Sequence, residues 1–154
     1  MVARCGPESW GDASGVAAQA HAIQERATEL ARRDADVWRT ALAALDKARS
    51  SDRDERTNHE LMRALDLAAA APLEIASLGA DTAELAAEAA ERCEGSFRAD
   101  AAAAAALAAG GARAAAHLVE VNLTVRPGDE RLARARASDQ AAAEAAERVL
   151  ASVR

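Results

Sequence analysis

The chain has 154 residues, 51% of them hydrophobic but only 2% aromatic, and carries a net charge of −6. That length bounds one domain, and the acidic balance, with no basic stripe and interleaved aromatics, excludes nucleic acid as the expected partner. The longest apolar run, 101–112, is too short and too weakly hydrophobic to span a bilayer, so no membrane partner is expected.

With no Tyr, one Phe and two Trp, the core has to be built from Ala, Leu, Val and Ile. Side chains that small bury little area each, at about 25 cal/mol per Å². A monomer of this composition is marginal, and a homodimer that covers a further helix face is expected.

Strand signals are absent, since β-branched residues are sparse and nothing alternates. Val16, Ile23, Leu30 and Val37 recur every seven residues, with Leu42 and Leu45 continuing the stripe. This is the seam of a long first helix packed almost parallel to a neighbour. Asp12 or Ser14 can cap it, and it runs to about Arg49. A polar connection over 50–56 leads to a second helix over 54–70. Pro72 then breaks or kinks the pattern, leaving 73–78 as a short continuing turn. Asp81 caps a third helix that ends near Cys93, with Gly95 as its stop.

The fourth helix, over 98–125, is an Ala-rich run interrupted by Gly110-Gly111. Ala is the best helix former and each glycine costs about 1 kcal/mol against it. A buried central helix packed tightly on neighbours accounts for both features. Arg126-Pro127-Gly128-Asp129 is a turn by its chemistry, and a last helix spans 130–153. The fold expected is therefore all-α, an up-and-down bundle of about five helices around a buried Ala-rich central one, as a single domain over 1–154.

Cys5 and Cys93 are far apart, with no CxxC and no neighbouring His, so they read as free thiols. No charged stretch followed by an apolar one opens the chain, so secretion is not indicated and a cytoplasmic location is expected.

Few residues offer chemistry. Arg113, His117 and Glu120 share one helix face at i, i+4 and i+7. They either line a cleft, binding a charged substrate and moving protons, or form the solvated or subunit-facing edge of the helix. Asp34 lies one turn before Trp38, and its carboxylate is either paired with Arg33 or a helix end, or used for a ligand. Asn122 either caps backbone groups or contacts a ligand. Glu55 and His59 sit one turn apart, but the Glu-x-x-His spacing of di-metal bundles does not occur twice, so no metal is expected. His21 is expected to be solvated.

Arg33-Asp34-Ala35-Asp36-Val37-Trp38, Ala64-Leu65 ahead of Ala71-Pro72-Leu73, Gly95 with Asp100 opening the Ala-rich helix, and Leu118-Val119-Glu120-Val121-Asn122-Leu123 follow in that order. In order and spacing they resemble the cyclodeaminase/cyclohydrolase family of folate enzymes. The resemblance implies an all-helical homodimer that takes a tetrahydrofolate derivative as substrate. It implies one of two reactions, formiminotetrahydrofolate cyclodeamination or methenyltetrahydrofolate hydrolysis. It places Asp34, Asp100 and Asn122 at the family's polar positions and Pro72 and Gly95 at structural ones. Asp100 and Asp34 are then the catalytic carboxylates, and Arg113, His117 and Asn122 hold the folate.

Family members begin with a Pro-Gly-Gly-Gly-Ser segment, and the stretch Met1-Val2-Ala3-Arg4 matches only the end of the helix it opens. An anion-binding element is expected to be missing. The alternative is a catalytically silent helical homodimer acting as a scaffold or partner-binding module.

Overall fold

The structure, a computed structural model, describes residues 10–50, 54–93, 96–124, 126 and 128–152. Five helices follow one another: α1 (Ala13–Ser50), α2 (Glu55–Ala68), α3 (Ala70–Arg92), α4 (Ser96–Asn122) and α5 (Glu130–Ser152). No strand is present among the described residues. The expected all-α bundle is the fold found, and Met1–Arg4, Cys5, Gly95 and Pro127 lie outside the described residues.

The α1 seam is real for Val16 and Leu30, at 6% and 3% exposure, but it does not continue through Leu42, which is 39% exposed. The stripe passes instead through Ala41 and Ala48. Ala41 lies one turn after Val37, whereas Leu42 falls off that face. The start of α2 follows its sequence closely. Asp54 is the N-cap, and its carboxylate accepts the Thr57 backbone N–H at 2.7 Å.

The expected interruption near Pro72 is found at Ala69, between α2 and α3. Pro72 itself sits in the first turn of α3, where its missing N–H is least needed. Ala69, with φ −78° and ψ −19°, is helical too, so α2 and α3 form nearly one rod. The expected turn over 73–78 and the helix expected from Asp81 are therefore one element, and Asp81 is an exposed mid-helix residue rather than a cap.

Proline does leave a mark. The N–H of residue 72 would have bonded the carbonyl of Ala68, four residues back. That orphaned carbonyl accepts a hydrogen bond from the Asn122 side-chain amide instead, at 3.1 Å. Asn122 is 6% exposed. A side chain at the end of α4 thus repairs a gap that proline opens between α2 and α3.

The core is methyl-lined. Ala83, Ala87, Ala112, Ala142 and Ala145 from α3, α4 and α5 are all fully buried. Side chains that short bring helix axes to the near end of the usual 8–10 Å range. Gly79 marks the tightest approach, since a Cβ there would lie 2.9 Å from Ala112 Cβ and 3.1 Å from the Ala108 carbonyl oxygen. Helices α1 and α2 pack on each other and join the rest chiefly through α3.

Two expectations need correction. α4 is buried on one side only, against α3 and α5, while Leu107, Leu118 and Val121 stand 78%, 47% and 52% exposed. Nothing lies within 4 Å of a Cβ built at Gly110 or Gly111, so those glycines admit no neighbour within this chain. Small residues permit burial without compelling it. Cys93, 1% exposed at the end of α3, is disulfide-bonded rather than a free thiol. Separation in sequence, on which that expectation rested, says nothing about separation in a fold.

Candidate functional site

Ion pairing places α4, α5 and α2 around one corner of the bundle. Arg131 donates to Asp129 Oδ2 at 2.7 Å and to Asp66 Oδ1 at 2.5 Å, and Arg126 lies 3.1 Å from the same Asp66 oxygen. Asp129 also accepts the Arg131 backbone N–H at 3.0 Å, capping α5. The hydrogen bonds from Arg131, side chain first and then backbone, hold the Asp129 carboxyl down from 3.8 to about 2. The cluster clamps the α4–α5 turn to the end of α2 and offers no free group to a substrate.

The five residues expected at a site are dispersed within one chain. Asp34 is half-buried on α1. Its neighbour Arg33 pairs with Glu74 of α3 and not with Asp34, as one sequence alternative had it. Asp100 is exposed in the second turn of α4. Nearby Arg98 donates to the Ala90 carbonyl at 3.1 Å, which sets that end of α4 level with the end of α3. Asp34 is thus level with residue 74 and Asp100 with residue 90, sixteen residues apart on α3, or about 24 Å at 1.5 Å per residue. The two carboxylates stand at opposite ends of the bundle.

Arg113 and Glu120 turn toward α5, where they meet Asp139 at 3.3 Å and Arg136 at 2.8 Å. His117, between them on the same helix, is exposed. The Asn122 amide is engaged with the Ala68 carbonyl. Asp100 and His117 are therefore exposed on α4, Arg113 faces α5, and Asp34 and Asn122 lie elsewhere.

Sequence reasoning missed two clefts, which lie on either side of the first half of α1. The larger, about 590 Å³, runs between α1, α3 and α5 over Ile23, Leu78 and Leu85. Asp81, Glu84, Glu88 and Glu91 of α3 face it, together with Arg26 and Arg148. Their spacing of i, i+3, i+7 and i+10 was the legible signal for a carboxylate row on one helix face. Glu84 accepts from Arg148 at 2.7 Å, a bond that raises the Arg148 pKa, and Glu88 lies 3.4 Å from Arg92. Four carboxylates against two guanidiniums repel an anionic ligand. The smaller cleft, about 310 Å³, is apolar apart from His21, Gln24 and Thr82. None of the five expected residues lines either cleft.

No group of three or more His, Cys, Asp or Glu side chains able to hold a metal occurs among the described residues. His59 is exposed, and neighbouring Glu60 pairs with Lys47 and Arg56. Taken from Phe97 to Asn122, α4 is long and apolar enough by length and composition to cross a membrane, with mean hydropathy 1.3, which the shorter run 101–112 is not. A third of that stretch is buried within the bundle.

A family model described as formiminotransferase-cyclodeaminase matches residues 6–143, most of the chain. No curated protein matches it.

Proposed function

The chain belongs to the formiminotransferase-cyclodeaminase family, a folate-related family of one-carbon metabolism, and from that premise we propose that it binds a tetrahydrofolate derivative as a homodimer and transforms its one-carbon unit. The family match over residues 6–143 is the observation that carries this reading. Two reactions fit. In cyclodeamination, N10 attacks the formimino carbon, ammonia leaves and the 5,10-methenyl bridge closes. In hydrolysis, water adds to the methenyl carbon and its bond to N5 breaks, leaving the 10-formyl product.

Either reaction passes through a cationic carbon that a carboxylate stabilises, and needs a group to accept the proton of the attacking atom. Asp100 is the carboxylate we assign to the carbon, with His117 as a folate-binding group and Arg113 available to the carboxylates of the folate tail through its planar fork. Asp34 is the second carboxylate of the reading. The larger cleft is the poorer seat for this ligand, because its acidic excess opposes the folate tail.

Turnover of 5-formiminotetrahydrofolate and of 5,10-methenyltetrahydrofolate tests the proposal directly. Asp100→Ala is expected to abolish the active reaction while leaving the helical CD signal intact, since Asp100 is exposed and no described contact depends on it. Unchanged turnover removes Asp100 from the site. The dispersal of the five residues within one chain favours a second reading, a catalytically silent dimer serving as a scaffold. Absence of both reactions together with absence of folate binding is its signature.

A further inference from the structure

The larger cleft combines a shape and a charge pattern that folate binding does not use. Its floor is apolar: Leu78 is 5% exposed, with Ile23 and Leu85 half-buried beside it. Along one wall Asp81, Glu84, Glu88 and Glu91 follow the axis of α3. From first to last the row covers ten residues, or about 15 Å at 1.5 Å per residue. At about 590 Å³ the cleft has the size of a small-molecule site, and an apolar lining with a few placed polar groups is the usual make-up of one.

The four carboxylates are not equivalent. Glu84 accepts from Arg148 at 2.7 Å, and Glu88 lies 3.4 Å from Arg92, so the chain itself neutralises the two middle charges. Asp81 and Glu91, at the two ends, take part in no hydrogen bond or ion pair among the described residues.

Arg26 is the remaining cation of the cleft. Arg33 pairs with Glu74 near the start of α3, while Val16 meets Ala89 near its end across the smaller cleft, so α1 and α3 are antiparallel. Arg26, seven residues before Arg33, is therefore level with Asp81, seven residues after Glu74, yet makes no ion pair with it.

We infer that this cleft binds a linear aliphatic dication, an alkyl chain with an ammonium group at each end. The chain lies on the floor of Ile23, Leu78 and Leu85, and the ammonium groups meet Asp81 and Glu91. Floor and row select this chemistry together. A metal ion or simple counterion gains nothing from the apolar floor, and an uncharged apolar ligand gains nothing from the carboxylates. An anion is repelled by the acidic excess. Four carboxylates against two guanidiniums leave two negative charges, which a dication balances. Arg26 opposes the ammonium group at the Asp81 end. None of the residues assigned to folate lines this cleft, so the inference does not depend on the folate reading.

Titration calorimetry of the full chain with 1,12-diaminododecane, 1,4-diaminobutane and Mg²⁺, all dications at matched ionic strength, tests it. The long diamine is expected to bind about tenfold or more tighter than the short one, because only its methylenes cover the floor between the two ends. Asp81→Asn/Glu91→Gln is expected to weaken the long diamine about tenfold, as two ion pairs at the upper end of the exposed range would. Asp46→Asn/Glu55→Gln, the same change of charge outside the cleft, is expected to leave its affinity unaltered. Arg26→Ala is expected to tighten it, and a loss there contradicts an ammonium group beside Asp81. All five positions are exposed, and an unchanged far-UV CD spectrum checks that each variant keeps the fold. Equal affinity for the two diamines, or Mg²⁺ binding as tightly as the long one, reduces the row to a counterion atmosphere and overturns the proposal. It is equally overturned by a control pair that weakens binding as much as the cleft pair. Absence of binding, as when another stretch of chain or a second copy already fills the cleft, overturns it too.

Discussion

Replacing Gly79 with Ala sets two opposing effects against each other, and the structure decides between them. Ala is favoured over Gly within a helix by about 1 kcal/mol. Against that, the added Cβ would lie 2.9 Å from Ala112 Cβ and 3.1 Å from both Ala112 Cα and the Ala108 carbonyl oxygen. These atoms belong to the α4 backbone or are fixed to it, so none can swing aside, and α3 and α4 must part along their contact. Overpacking a close-packed core costs about 1–3 kcal/mol, and rigid neighbours put this site at the upper end.

The net expectation for Gly79→Ala is a loss of about 2 kcal/mol. With about 2–4 °C per kcal/mol for a chain of this size, the midpoint falls by about 4–8 °C. Thermal unfolding by CD at one fixed protein concentration measures it. Gly111→Ala is the internal control. No atom lies within 4 Å of its added Cβ, so propensity acts alone and the midpoint rises by about 2–4 °C. If Gly79→Ala also raises the midpoint, the close approach of α3 to α4 is refuted, and the reasoning with it.

Asn122→Ala leaves the Ala68 carbonyl buried without a donor and is expected to destabilise by about 1–3 kcal/mol in urea unfolding. Adding Pro72→Ala returns an N–H to that carbonyl, so the double variant should lose less than the sum of the two single ones; additivity would separate Pro72 from Asn122. Asp129 has its pKa depressed from 3.8 to about 2 in the folded chain. Its stabilising effect is therefore complete above pH 4 and is lost as the pH falls from about 4 through about 2. Asp129→Asn is expected to flatten that part of the stability profile, and an unaltered acid limb would show that the Arg131 clamp does not hold in solution.

Elements were legible wherever the signal is local, whereas the cap expected at Asp81 was not one. The first part of the α1 seam, the start of the second helix near residue 54 and the Ala-rich helix each follow from local spacings. The break near Pro72 was legible, but it falls at Ala69, and the residues that follow the proline continue as one long helix because a proline is tolerated in a first turn. Burial of α4 was over-read for another reason. Alanine and glycine are compatible with a core and with an open flank alike, and the choice rests on which helices reach it.

The expected site residues were identified by type and order. Their dispersal was not visible, because the level of α1 or α4 along α3 is set by contacts such as Arg33 with Glu74 and Arg98 with Ala90. No spacing within one segment encodes those. The carboxylate row from Asp81 to Glu91 was legible at helical spacing but was hidden by reading Asp81 as a cap.

Thermal unfolding of the wild-type chain with and without 5-formyltetrahydrofolate tests folate recognition most directly. A ligand that binds only the folded state at one hundred times its Kd adds about 2.7 kcal/mol, an expected rise of about 5–10 °C in the midpoint. A midpoint that does not move at millimolar ligand contradicts the assignment of this bundle to folate chemistry.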